Sequence, residues 1–460
     1  MDNAILARIR EELFYGSADY TKSQPDLFLP HRFQLLAPSQ ASAFVTEVRD
    51  SLPEEELLLY VHLPFCFTEC LFCNSFPEPA DRRAQQEYLD DLIREIELMA
   101  GLGLFSGKRA RGIYFGGGTP TAFGNGDLRR IIDTLRGCIE LAPQYSITCE
   151  AHPATMAVES RAAELAGIGV DRISIGCQSF DATILALCDR SNSEPLIRQV
   201  VNSAQAAGLA VNIDMMTGLP GQTLASVRRD LEILEGIRPT AVEYIRHEIV
   251  NPLAVDLYRQ RPELVVPDNL LFEMVLMTQS WMGRHGYEQN GSYSDDRQWG
   301  YRYYWLREMP IIAFGARSRS YTKTLCYDKH EDLPTYSRLV RKGIPPIGRR
   351  LDLTAREQMY RSLILGLQLR SGLDFGQFRR RFAVDPEPVF GSIFHELAAL
   401  GCLEIAAESV RLTGYGACFV EDVCDFIVDA ALHGAPEGLA RAPHSEGSRS
   451  TRLGLSGSNA

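Results

Sequence analysis

From Leu57 to Ile245 the chain reads as strand and helix in turn, and this alternation restricts the possible folds more than any other feature. Candidate strands are Leu57–His62, Gly112–Phe115, Ser146–Glu150, Asp171–Gly176, Ala210–Met215 and Ala241–Ile245. Helical periodicity between them is clearest at Arg83–Met99, Leu128–Cys138, Met156–Ala166, Glu194–Ala207 and Leu224–Gly236. Strands joined through helices run parallel, with right-handed crossovers. The expected fold class is α/β, a (β/α)6 partial TIM-type barrel whose ligands sit at the carboxyl ends of its strands.

Around that barrel, residues 1–55 carry helical patterns broken by Pro25, Pro30, Pro38 and Pro53, which reads as a partly ordered N-terminal arm. The barrel is expected over 56–255. Residues 256–350, aromatic-rich at Trp299–Trp305, are expected to extend the sheet and cover the mouth and substrate. Residues 351–432 read as helices and a hairpin (Leu403–Ile405, Val410–Thr413), the pattern of a small winged-helix-like domain. Residues 433–460, without an aromatic side chain, are expected to be a disordered tail.

The chemistry is concentrated in YVHLPFCFTECLFCNSF, Tyr60 to Phe76, directly after the first strand. Three of the eleven cysteines, Cys66, Cys70 and Cys73, follow C-x3-C-x2-C there. The other eight are scattered and read as small buried hydrophobes. Three thiolates on one loop can hold three corners of a [4Fe–4S] cubane and leave a fourth iron open. The amino and carboxylate groups of S-adenosylmethionine (SAM) can chelate that iron, and reductive cleavage then yields a 5′-deoxyadenosyl radical. A structural zinc site would want a second ligand pair, and none lies near, although His62 is a conceivable fourth ligand.

Further strand ends carry polar groups. In YFGGGTPT, Gly116, Gly117 and Gly118 let backbone approach a ligand and offer free amides, in a position that fits the SAM amino group; a tight turn explains the run equally well. Glu150 in ITCEAHP is either an acceptor for a nucleoside or a capping acid. Gln178 in RISIGCQSF, Arg190 after it and Asp214 in VNIDMMTGLPGQT suit nucleoside hydroxyls and a carboxylate; Arg190 also reads as a salt-bridge partner. Tyr244, His247 and Glu248 follow the sixth strand and are candidate proton-handling groups, each with a structural alternative. Tyr301, Tyr303, Tyr304 and Trp305 either stack a flat substrate or pack a lid.

Net charge of −12 argues against a nucleic-acid partner, and Arg379–Arg381 reads as a solvated helix face. No apolar run is long enough to span a bilayer, and Met1–Arg10 lacks a signal-peptide core, so no membrane partner and a cytoplasmic location are expected.

YVHLPFC, GGGTPT, RISIGCQSF and NIDMMTGLPGQT together resemble the radical SAM family of oxygen-independent coproporphyrinogen III dehydrogenase. Its relatives include haem chaperones and class C radical SAM methyltransferases. The resemblance runs from about residue 56 to 430, more weakly through IIAFGARSRSY and the C-terminal domain. It implies two SAM molecules and a flavodoxin- or ferredoxin-type electron donor. By position it implies cofactor contacts for Tyr60, Gly117, Thr119, Glu150, Gln178, Arg190 and Asp214. Phe72 would lie beside an adenine, and Phe314, Gly315 and Ala316 beside the second SAM. Asn74 and Ser75 depart from the Gly-Cys that follows the third cysteine in the dehydrogenases, and Arg317 stands where small residues are usual. These departures point to a methyl- or methylene-transferring enzyme. Its expected substrate is an aromatic or heteroaromatic small molecule, methylated or cyclopropanated at an sp2 carbon in natural-product assembly. The alternatives are a coproporphyrinogen-type oxidative decarboxylase, a haem chaperone and an anaerobic haem-degrading methyltransferase.

Overall fold

The computed structural model describes residues 2–14, 32–75, 77–287 and 300–433. Apart from His433, the segment expected as a tail lies outside the described residues, as does Trp299. Six parallel strands, neighbours in sequence order, form the barrel wall: β1 (Glu56–Leu63), β2 (Arg109–Gly117), β3 (Glu140–Ala151), β4 (Arg172–Gln178), β5 (Ala210–Thr217) and β6 (Ala241–Arg246). Leu57–Leu59 and Val61–Leu63 of β1 are buried, the near-continuous burial of a strand covered on both sides.

The covering helices are α1 (Arg82–Gly101), α2 (Asn125–Cys138), α3 (Ser160–Gly167), α4 (Glu194–Ala206) and α5 (Leu224–Ile237). Side-chain caps define two of their starts. The Asp81 carboxylate accepts from Ala84 N–H, and the Thr223 hydroxyl accepts from Ser226 N–H. The helix expected from Met156 begins at Ser160. Pro153–Met156 makes a 3₁₀ turn instead, with Pro153 at its first position, where a missing N–H costs nothing.

Register brings the strand ends together. Leu63 pairs with Gly117, Ala151 with Ile175, Gln178 with Met215 and Thr217 with Arg246. On the other side of β1, β7 (Ile311–Phe314) adds in parallel. The antiparallel β8 (Arg319–Tyr321), β9 (Leu325–Lys329) and β10 (Ile347–Asp352) follow, and Gln34–Leu35 closes an eleven-stranded sheet. The barrel is open: a (β/α)6 part-barrel with an antiparallel extension.

Two segments lie elsewhere than expected. The aromatic segment α7 (Gly300–Leu306) does not cover the mouth. It packs against the inner face near the amino ends of the strands: Gly112 lies beside Tyr301, the Cα of Tyr301 being 3.6 Å from where a Gly112 Cβ would stand. Arg302 is 2.7 Å from Glu243 of β6, and Arg111 donates to the Tyr304 hydroxyl at 2.8 Å. Gly112 leaves the space and Glu243 supplies the counter-charge, a pairing invisible to local periodicity.

The described part of the N-terminal segment is core. Ile9, Leu13 and Phe14 are buried, and Phe14 meets Phe272 of α6 (Asp268–Arg284) edge-on at 5.1 Å. Phe272 in turn stacks on Phe419 at 4.8 Å. Helices Ala355–Leu367, Phe375–Phe382 and Glu387–Ala399, with the three strands Leu373–Asp374, Leu403–Ile405 and Ser409–Leu412, form the winged-helix-like region.

Buried Arg246, at the end of β6, ties this region to the barrel. Its guanidinium donates to Asp422 of α8 (Val420–His433) at 3.0 and 2.6 Å and lies 2.7 Å from Glu421. Glu421 stays beside the guanidinium when Asp422 is removed, so Asp422→Ala is expected to cost about 1.5–3 kcal/mol, the worth of hydrogen bonds to a charged group. Denaturant unfolding checks this; a loss below about 1 kcal/mol would show that the pair is not a structural anchor.

Candidate active site

The cysteine loop leaves β1 through Pro64 and is closed at its base. Phe65 and Cys66 pair with Glu78 and Pro79 in a short parallel bridge, and Ala80 N–H donates to the Cys66 carbonyl at 2.8 Å. Inside the loop a turn joins Cys73 N–H to the Cys70 carbonyl at 2.9 Å. Three other barrel-edge segments hold it. Leu71 N–H donates to the Cys188 carbonyl, the Asn251 amide donates to the Cys73 carbonyl, and the Ser75 hydroxyl donates to the Gly117 carbonyl, at 3.3, 2.8 and 3.1 Å.

All three thiols line one cavity of about 870 Å³ at the carboxyl ends of the strands. Each has a polar partner from a different place: Cys66 lies 3.0 Å from the Thr119 hydroxyl, Cys70 3.4 Å from the Arg190 guanidinium and Cys73 3.4 Å from the Ser75 hydroxyl. Burial pushes the Cys66 thiol up to about 11, against the pull of Thr119, so bonding to iron would have to displace its proton to solvent. Among the described residues no three His, Cys, Asp or Glu side chains close on a single ion. The thiols stand around an open cavity, as ligands to separate irons of one cubane would. His62 does not join them: its Nδ1 is 3.1 Å from the Tyr60 hydroxyl, and its Nε2 is buried without a partner.

The glycine run is used differently from the sequence expectation. Its amides are committed: Gly117 N–H to Glu150, Gly118 N–H to the Leu63 carbonyl at 3.0 Å and Thr119 N–H to the Phe65 carbonyl at 2.8 Å. A Cβ on Gly116 would stand 2.8 Å from the Tyr60 hydroxyl, and one on Gly118 2.7 Å from the Phe65 carbonyl oxygen. Glycine is therefore required here by protein packing. Gly117 and Gly118 line the cavity without a free amide to offer it, and the Gly117 carbonyl already accepts from Ser75.

Below the run lies an acidic interior. Glu150 accepts from the Tyr114 hydroxyl at 2.8 Å, and Tyr114 stacks on Tyr60 at 6.1 Å. Burial raises Glu150 to about 7, opposed by the Tyr114 and Gly117 hydrogen bonds. Asp214 accepts from Ser174 at 2.9 Å and from Asn212; burial and the neighbouring Glu243 and Glu150 charges hold it well above the ordinary carboxylate range. Gln178, in the left-handed region at φ 72°, lines the cavity with a buried Oε1 that has no partner. A strained residue with an orphaned acceptor at a strand end marks a place where a ligand donor fits.

Of the residues singled out from sequence, Cys66, Cys70, Cys73, Phe72, Gly117, Gly118, Thr119, Glu150, Gln178, Arg190, Asp214 and Glu248 line this cavity. Tyr60 and Gly116 sit just below it, against Glu150. Tyr244 and His247 are not on its wall. Tyr244 is half-buried, with its enclosed hydroxyl in the field of Asp230 of α5 and Cys177, and His247 packs beside Tyr258 at 6.0 Å. Phe314, Gly315 and Ala316 are also off the wall. Gly315 N–H donates to Glu95 at 2.8 Å and Ala316 N–H to the Tyr88 hydroxyl at 3.1 Å, so α1 occupies both amides. Residues that sequence reasoning missed are Ser75, His152 and Ser174. The last sits four residues before Gln178 and could have been found by following the inward positions of β4.

Residues 60–234 match the model of the Radical SAM superfamily, and residues 353–419 that of the HemN C-terminal domain. The chain is a HemN-like radical SAM enzyme. Its cofactors are a [4Fe–4S] cluster and SAM, and the three thiols on one cavity wall and the unpaired Gln178 acceptor fit that pair. The chain is similar to anaerobilin synthase of Escherichia coli O157:H7, at 39% identity over 181 residues, which are 39% of this chain and 40% of that one. It is 25% identical over 403 residues to oxygen-independent coproporphyrinogen III oxidase of Pseudomonas aeruginosa, covering 80% of this chain and 84% of the relative. The solved coproporphyrinogen III oxidase (HemN) of Escherichia coli has the same fold, with a TM-score of 0.73 at 22% identity over 84% of this chain and 93% of that one. Among the described residues no helix of this radical SAM enzyme is long and apolar enough to cross a membrane.

Because Glu150 keeps its proton up to about pH 7 when folded and only to 4.5 when unfolded, it stabilises the fold below pH 4.5 and loses that contribution as pH rises through 7. Wild-type cluster-free protein should therefore lose about 3 kcal/mol relative to Glu150→Gln across that window. Parallel pH-dependent melts overturn the assignment if the two proteins track each other.

Proposed function

We propose that this radical SAM enzyme transforms a tetrapyrrole by methyl or methylene transfer to an sp2 carbon, with a pair of SAM molecules in use. The observation that carries the reading is the 39% identity to anaerobilin synthase, against 25% to the coproporphyrinogen oxidase. One relative is named for a bilin and the other for a porphyrinogen, both tetrapyrroles. The expected natural-product aromatic substrate finds no counterpart in either and gives way to the haem-type alternative. The cavity of about 870 Å³ falls in the upper part of the roughly 300–1,000 Å³ range of sites for one drug-sized ligand, so the pair of SAM molecules rests on the family resemblance.

When bound, the cluster supplies an electron to the sulfonium of SAM and thereby a 5′-deoxyadenosyl radical. The chain's own residues hold and position. Cys66, Cys70 and Cys73 ligate three irons, and Thr119 orients the first sulfur. Gln178 and Asp214 take nucleoside hydroxyls, Arg190 a carboxylate. Phe72, Met216 and Ile245 make the apolar wall that keeps water from a radical. Proton removal from the substrate carbon falls to a carboxylate on the wall, and Glu248, buried and facing the cavity, is the member of the sequence-derived trio that meets this requirement.

A second reading, oxidative decarboxylation of a coproporphyrinogen, is favoured by the length of the oxidase match. Anaerobically reconstituted enzyme with reductant, SAM and either haem or coproporphyrinogen III separates the two. Haem consumption with 5′-deoxyadenosine and S-adenosylhomocysteine supports the proposal; carbon dioxide from coproporphyrinogen III without S-adenosylhomocysteine moves the assignment to the decarboxylase. Haem bound but unconsumed points to a carrier. Under the first outcome, Glu248→Gln is expected to slow product formation about 100-fold while 5′-deoxyadenosine still forms.

A further inference from the structure

His152, two residues beyond Glu150, is held on the cavity wall by both its main chain and its ring. Its main chain is held from both sides by a pair of hydroxyls. His152 N–H donates to Thr121 Oγ1 at 3.3 Å, Thr155 Oγ1 donates to the His152 carbonyl at 2.7 Å, and the two hydroxyls meet at 2.6 Å. The ring is held as well: Ala154 N–H donates to Nδ1 at 3.2 Å, capping the Pro153–Met156 turn. With Nδ1 an acceptor, the neutral ring carries its proton on Nε2. That N–H has no partner among the described residues, and the side chain lines the cavity.

The ring also stays neutral. Burial and the nearby Arg190 guanidinium hold His152 down to about 4, so it is an uncharged donor throughout the neutral range. A donor fixed at three points on the wall of a cavity that Arg190 also lines has the form of half a carboxylate clamp. Arg190 lacks the freedom to complete such a clamp alone, because its guanidinium already donates to the Gly176 carbonyl, to Asn192 and to the Cys70 sulfur.

We propose that His152 Nε2–H is a second donor, beside Arg190, to the amino-acid carboxylate of SAM, and so a residue that selects the whole cofactor over its nucleoside fragment. Because the carboxylate belongs to the cofactor, the assignment does not depend on which substrate is turned over. The chemistry is hydrogen bonding alone. A neutral donor to a charged acceptor, pre-organised and half-buried, is worth about a tenfold change in affinity.

Two substitutions separate the ring's two jobs. His152→Asn keeps an acceptor for Ala154 N–H and removes the distal donor; His152→Gln restores a donor at about the reach of Nε2. Each is measured by calorimetric titration of cluster-loaded protein with SAM and with 5′-methylthioadenosine, which keeps the nucleoside and lacks the carboxylate. Circular dichroism and iron content check folding and cluster loading. His152→Asn is expected to bind SAM about tenfold more weakly and 5′-methylthioadenosine unchanged, with His152→Gln recovering most of the loss. Equal weakening for both ligands, or SAM bound by His152→Asn as tightly as by wild type, overturns the proposal.

Discussion

Where Gly118 passes Phe65 there is no room for a side chain, and the active site is built on that contact. A Cβ there would fall 2.7 Å from the Phe65 carbonyl oxygen, while the next residue donates its N–H to that same oxygen at 2.8 Å. The closeness puts the first cysteine beside the Thr119 hydroxyl and lets Ser75 reach the Gly117 carbonyl. Three thiols on a thirteen-residue excursion from Cys66 to Glu78 would otherwise be a floppy chelate. Here the loop is closed at its base and held from β2 and from the loops after β4 and β6. The loss of freedom needed to bind a cluster is thus met largely during folding rather than during assembly.

Beneath the loop the barrel holds more carboxylates than its dryness would ordinarily tolerate. Glu150, Asp214 and Glu243 face one another across β3, β5 and β6, and among the described residues Arg302 is the cation that pairs with Glu243. Hydroxyls and amides from Tyr114, Ser174 and Asn212 satisfy the other two. Burial and mutual repulsion keep protons on them to higher pH than usual. A cationic cofactor entering such a pocket would favour their ionised forms. The floor formed by α7 and the anchor at Arg246 keep this interior closed from below and from the side.

Much of this was legible beforehand. Six strands and their helices follow from period-two and period-3.6 patterning, which depends on neighbours along the chain. The cysteine spacing and the polar residues at strand ends follow likewise, because parallel strands joined by helices must end at one edge. Other placements were not legible. Local sequence marks Tyr301–Trp305 as apolar and aromatic but not as a plug at the floor, since that depends on Gly112 and Glu243 from distant strands. Gly315 looked available to a ligand, yet Glu95 takes its amide from α1.

By itself, then, the sequence determined the part-barrel, the thiol triad and the cofactor class, because those rest on local periodicity and on the coordination number of iron. The tertiary structure decided what each polar group is free to do. It occupied the glycine amides, left Tyr244 and His247 off the cavity wall and placed His152 on it with Nδ1 taken by Ala154. The physical reason is saturation: the great majority of buried backbone donors and acceptors are paired within the fold. Which ones remain for a ligand is known only once all the internal pairs have formed.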